Sequence, residues 1–235
     1  MASHAKSQVI LALDCPVLAE AKDIARRVGP LLAAVKIGNQ LFTAEGPAAV
    51  AAMRGLGLQV FLDLKYHDIP NTVGQAVASA SKLGIWMLNV HASGGAAMMR
   101  AAAAVTDRPI VLAVTVLTSL DEASLQATLG TTRTLRGQVA HLAKEAQSAG
   151  LDGVIASPQE VREIREACGP RFLIVTPGVR PADAELGDQK RVMTPGEAVR
   201  AGADYVVIGR PILAAADPVE AARKIVEECD RARDG

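Results

Sequence analysis

Short β-rich runs alternate with longer Ala-rich stretches of helical period along the whole chain, and this alternation constrains the fold more than any other feature. Strands are expected at 9–13, 32–37, 59–64, 86–90, 110–116, 153–156, 172–175 and 205–208, with helix-like stretches such as 18–28 and 44–56 between them. Eight such pairs in 235 residues predict an α/β fold, a closed (β/α)8 TIM barrel formed as one domain over 1–235. Runs such as PIVLAV and VVIG lack the in-and-out alternation of a half-exposed strand, as expected when a parallel sheet is buried on both faces. A doubly wound open sheet is the alternative that the same rhythm allows.

Charge narrows the partners. The chain carries 25 basic and 25 acidic residues and is 50% apolar, so it offers no electrostatic footprint for nucleic acid or an anionic membrane, and a small-molecule partner is expected. Cys15, Cys168 and Cys229 are odd in number, far apart and form no CxxC pair, which suits structural thiols in a reducing compartment. The opening MASHAKSQVILALD has a short apolar run that stops at Asp14, too short for a signal segment or a membrane span, so a cytoplasmic protein is expected.

Barrel enzymes place their chemistry at the C-terminal ends of the strands, and there the polar residues of this chain collect. The first strand ends in Asp14, the second carries Lys36, the third Asp63 and Lys65, the fourth Asn89 and His91, the fifth Thr115 with Thr118 and Ser119 just beyond; Arg180 follows the seventh, Gly209 and Arg210 the eighth. A lone charge at a strand end is ordinarily a solvated edge, a reading that convergence from seven strands makes hard to sustain. In IGRPI, Gly209 would let the backbone approach an anion, Pro211 would start a helix, and Arg210 would fork onto phosphate oxygens. No GxGxxG or P-loop pattern accompanies it. The long irregular segment 178–193, bracketed by Pro177 and Pro195, is expected to be a lid.

The densest cluster is DLKYHDIPNT, 63–72. Strand side chains alternate, so Asp63 and Lys65 are expected to point into the barrel mouth and Leu64 outward. A merely structural ion cluster gains little, because ~4 kcal/mol of attraction at an effective dielectric near 20 barely offsets desolvation. A Schiff-base lysine needs surroundings that remove its proton; aspartate neighbours favour the ammonium, so Lys65 is expected to act as proton donor and fixed positive charge.

LALD (11–14), VKIG (35–38), DLKYHDIPNT (63–72), NVHASGG (89–95), TVLTS (115–119), TPGVRP (176–181), GDQKR (187–191) and IGRPI (208–212) together resemble, in the same order, the orotidine 5′-phosphate decarboxylase family, whose members convert orotidine 5′-monophosphate to uridine 5′-monophosphate in pyrimidine synthesis. DxKxxD alone is shared with metal-dependent sugar-phosphate decarboxylases and synthases on the same barrel; the longer motif with PGxRP, DQKR and IGRPI is specific. Tyr66 stands where relatives often have Phe.

The resemblance implies Lys65, Asp63, Asp68 and Lys36 as the catalytic set, an alternating charge array. It implies Asp14 and Lys36 on the ribose hydroxyls, Thr118 beside the pyrimidine, and Arg180, Gln189, Gly209 and Arg210 on the phosphate. It also implies a homodimer in which Asp68 and Thr72 enter the partner's site, and chemistry with neither metal nor organic cofactor. His91 and His67 are assigned no direct role. A catalytically silent phosphate-ligand binder is the reading from another class, against which the intact Asp63, Lys65 and Asp68 set speaks.

Overall fold

The computed structural model describes residues 7–181 and 193–234. Eight strands, β1 (Val9–Ala12), β2 (Ala34–Gly38), β3 (Val60–Tyr66), β4 (Met87–His91), β5 (Ile110–Val114), β6 (Gly153–Ile155), β7 (Leu173–Thr176) and β8 (Tyr205–Ile208), close in chain order into a parallel barrel. Pairing of Val9, Ile10 and Leu11 with Val206, Val207 and Ile208 seals it, which excludes the open sheet. The helices are α1 (Leu18–Val28), α2 (Asn39–Glu45), α3 (Pro47–Gly55), α4 (Pro70–Ser81), α5 (Gly95–Ala103), α6 (Glu122–Leu129), α7 (Leu135–Ser148), α8 (Val161–Cys168), α9 (Pro195–Ala201), α10 (Arg210–Leu213) and α11 (Pro218–Asp234).

Two apolar layers account for the unbroken apolar strands. Ile10, Phe61, Met87, Leu112, Val175 and Val207 fill the barrel. Their strand neighbours Leu11, Leu62, Leu88, Val111, Ile174 and Val206 face the helices instead. At about 25 cal/mol per Å2 of buried apolar surface, both faces favour the closed form.

The stretch 44–56, expected as one helix, holds the end of α2 and the whole of α3. Gly46, at φ 59°, ends α2 in a conformation open to glycine, and Pro47 begins α3 where a missing N–H costs nothing. The starts of α6, α7 and α9 carry side-chain caps: Asp121 accepts from the Ser124 N–H, Thr134 from the Gly137 N–H, and Thr194 forms a reciprocal box with Glu197.

The N-terminal end of the barrel is held by a repeated device. AGLDGV (149–154) and AGADYV (201–206) each place an aspartate just before a strand. Asp152 accepts the Val111 N–H at 2.7 Å and pairs with Arg108; Asp204 accepts the Ile174 N–H at 2.8 Å and pairs with Arg165 at 2.8 Å. All three thiols are free, and burial is the first cause raising each above its ordinary value, Cys229 to about 12. Among the described residues no helix is long and apolar enough to cross a membrane.

Candidate active site

The site grows from an irregularity in β3. Phe61 pairs with Met87 and Leu62 with Leu88, but the next pair is Tyr66 with Val90, so β3 carries two more residues than β4 across the same stretch. The expected simple alternation is therefore interrupted at the motif: Asp63 and Lys65 both reach the mouth and Leu64 packs toward the helices, but Lys65 adopts a left-handed main chain with φ 54°. For a side chain other than glycine this costs on the order of 1–3 kcal/mol and persists only where surrounding contacts enforce it.

Asn89 and Asp63 supply those contacts. The Lys65 N–H donates to Asn89 Oδ1 at 2.8 Å, and Asn89 Nδ2 donates to Asp63 Oδ1 at 2.6 Å. Lys65 Nζ donates to the same Asp63 oxygen at 2.7 Å, while Lys36 Nζ stands 3.1 Å from Asp63 Oδ2 and 3.4 Å from Asp14 Oδ1. Within one chain the charges thus alternate Asp14, Lys36, Asp63, Lys65. Asp68, expected at the far end of this array from a second subunit, is exposed and its carboxylate accepts the Ile69 N–H at 2.6 Å.

Burial by itself would raise the Asp63 carboxyl, but Lys36, Lys65 and the hydrogen bonds from Lys65 and Asn89 outweigh it and hold the group below its ordinary value. His91 is half-buried at the end of β4, with its ring centroid 5.5 Å from that of His67. Desolvation first, then His67 and Lys65, push its pKa down against the pull of Asp63, so at neutral pH it is an uncharged neighbour of the site.

A cavity of about 180 Å3 opens at this spot, lined by the charged Lys36, Asp63 and Lys65 and by the apolar Phe61, Val114, Val116, Leu117, Ile155, Ala156, Pro177 and Val207, together with Thr118. Cations on apolar walls act on a bound anion more strongly than in water. Beside it, Gly209 sits at the end of β8 against β1, where a Cβ would lie 3.6 Å from Asp14 Oδ2. This puts the IGRPI turn next to the Asp14, Lys36 corner.

A model of the orotidine 5′-phosphate decarboxylase / HUMPS family matches residues 7–225. The chain belongs to this family. An orotidine 5′-phosphate decarboxylase of Moorella thermoacetica is 54% identical over 97% of this chain and 94% of its own length, and one of Trichlorobacter lovleyi is 51% identical over 96% of each. Among solved structures, the orotidine 5′-phosphate decarboxylase of Lactobacillus acidophilus superposes with a TM-score of 0.84 at 38% identity, covering 96% of this chain and all of that one.

Against this family background the expected residues divide. The cavity gathers Lys36, Asp63, Lys65 and Thr118, with Asp14 joined through Lys36. Asp68, just before α4, and Thr72, in its first turn, are exposed and stand outside the cavity lining. Arg180 is buried, its Nη1 donating to the Val179 carbonyl and its N–H to the Met193 carbonyl, and Arg210 opens α10 on the surface. Gln189 and most of the expected lid, 182–192, lie outside the described residues. Thr115, noted at a strand end, donates to the Ile155 carbonyl and is structural.

Asn89 is the residue that sequence reasoning passed over. It was visible as a polar residue at the end of β4, but an asparagine carries no charge to mark it, and its two bonds depend on the β3 bulge, which no local pattern announces.

Proposed function

We propose that this chain decarboxylates orotidine 5′-monophosphate to uridine 5′-monophosphate in de novo pyrimidine biosynthesis, acting as a single barrel domain, with Lys65 as the group that stabilises and protonates the carbanion. The observation that carries the reading is the Lys65 amine, held 2.7 Å from the buried Asp63 carboxylate at the wall of the cavity. The name carried by relatives above 50% identity over nearly the whole chain, orotidine 5′-phosphate decarboxylase, supports the substrate.

Loss of CO2 breaks the bond from ring carbon C6 to the carboxyl carbon and leaves the electron pair in an in-plane orbital that the ring cannot delocalise. Stabilisation must come from outside, and a fixed ammonium beside apolar walls supplies it without reorganising during the reaction. The ammonium then gives its proton to C6, and the resulting amine regains one from solvent. Asp63 orients Lys65 and balances its charge. Asp14 and Lys36 take the ribose hydroxyls, Thr118 the pyrimidine edge, and Gly209, Arg210, Arg180 and Gln189 the phosphate; the residues demand no metal or organic cofactor.

A homodimer completes the site in this reading, Asp68 and Thr72 entering the partner's cavity. Its support is the resemblance together with Ile69, 67% exposed between them, an apolar side chain that a partner would cover. Free thiols and the balanced charge suit a cytoplasmic enzyme without nucleic-acid or membrane partners.

The test is spectrophotometric loss of orotidine monophosphate with and without a chelator. Turnover indifferent to chelation is expected, whereas turnover abolished by it would favour the metal-dependent sugar-phosphate branch. Lys65→Ala is expected to lower kcat by roughly 10³-fold or more, as the loss of a principal electrostatic group does; near-normal turnover would overturn the assignment.

A further inference from the structure

Asn89 is fully buried in β4, yet it does not line the cavity, so any influence on chemistry must run through the groups it holds. Its orientation is fixed by its partners: a carboxylate only accepts, so the amide nitrogen faces Asp63, which turns the carbonyl oxygen to the Lys65 N–H. One side chain therefore bridges the main chain of Lys65 and the carboxylate that receives the Lys65 amine. It does so where β3 departs from its register with β4 and where Lys65 is left-handed.

We propose that Asn89 is the positioning residue of this site, setting where the Lys65 ammonium stands by pinning both the bulged main chain beneath it and the Asp63 carboxylate in front of it. The inference rests on the decarboxylase reading for its effect on turnover, but the pin itself is a statement about the fold. Without the amide, the left-handed turn loses the contact that enforces it, and Asp63 loses a donor that fixes its plane. Lys65 would keep its charge and lose its place, and displacement of a reacting group by about 1 Å lowers rates on the order of 10²-fold.

Two variants test it. Asn89→Ala is expected to lower kcat by roughly 10²-fold while KM changes by less than about threefold, because Asn89 itself does not line the cavity. Asn89→Asp is isosteric and separates positioning from filling. Protonated, the introduced carboxyl donates to Asp63 and accepts from the Lys65 N–H, restoring both bonds. Ionised, it sets two carboxylates against each other and donates nothing. Activity of Asn89→Asp relative to wild type should therefore fall as pH rises through the introduced group's pKa, a step absent from the wild-type and Asn89→Ala profiles. A purely space-filling role predicts parallel profiles, and parallel profiles, or an Asn89→Ala kcat within about twofold of wild type, would overturn the proposal.

Should Asn89→Ala fail to fold by thermal melting, the pH profile of Asn89→Asp decides alone. Amide hydrogen exchange gives a readout free of substrate: the Lys65 N–H should exchange faster in Asn89→Ala, which removes its acceptor, than in wild type, and equal protection would refute the pin. If wild-type protein fails to turn over orotidine monophosphate, the functional reading fails, while faster exchange at Lys65 would still uphold the pin.

Discussion

Asp63 is the carboxylate on which the cations of the site converge, with Lys36 at 3.1 Å, Lys65 at 2.7 Å and the Asn89 amide at 2.6 Å. Its ordinary value of 3.8 is lowered in the fold, so the unfolded chain takes up this proton first as pH falls. The stabilisation is complete above 3.8 and is lost as pH drops through the lower folded value. Removing one member of a buried ion cluster typically costs about 3–5 kcal/mol. Urea unfolding should show wild type above Asp63→Asn by that amount at neutral pH, the gap closing as the medium becomes more acid than 3.8; a gap independent of pH would refute this account. Gly38 is the companion case in β2. A Cβ there would stand 2.9 Å from Lys36 Nζ, so Gly38→Ala must push the ammonium off its two carboxylates. A loss of roughly tenfold in kcat/KM, or about 1.4 kcal/mol, is expected from steady-state kinetics.

At the scale of elements, the two ends of the barrel divide the labour. The C-terminal end carries the bulge of β3 and the charged cluster, and the N-terminal end carries the aspartate and arginine clamps. Arg165 in α8 donates to the Gly169, Phe172 and Gly202 carbonyls as well as to Asp204, tying α8 to the turns before β7 and β8. Arg165→Ala leaves these acceptors to water and should lower stability by about 1–3 kcal/mol. Since nothing in this clamp touches the cavity, turnover per folded molecule should stay at the wild-type level in the same preparation. A fall in kcat without a fall in melting temperature would contradict the division.

For the whole molecule, the proposed sharing of sites between subunits has a numerical signature. Lys65→Ala and Asp68→Ala chains are each expected to be inactive alone. In a mixed dimer, one site receives Lys65 from one chain and Asp68 from the other, both intact. With random pairing about a quarter of wild-type activity should return. No recovery after subunit exchange, checked by sizing, would place both residues in the same chain's site and remove the basis for sharing.

The order of elements and the charged residues gathered at the cavity were legible in the sequence because each rests on a local signal, whereas closure of the barrel, for which the same rhythm left an open sheet as the alternative, rests on the pairing of β1 with β8. Apolar runs of strand length, helical periods between them and charges at strand ends are properties of short segments. What stayed hidden was made by contacts between segments. The break of the second helical region needed only Gly46 and Pro47, but the β3 bulge exists through the mismatch of β3 with β4, and the left-handed Lys65 through the reach of Asn89 from a neighbouring strand. Thus the sequence by itself determined which chemistry this protein carries. Only the tertiary structure decided how its central amine is aimed, because a register shift and the side chain that holds it are shared between two strands and encoded in neither alone.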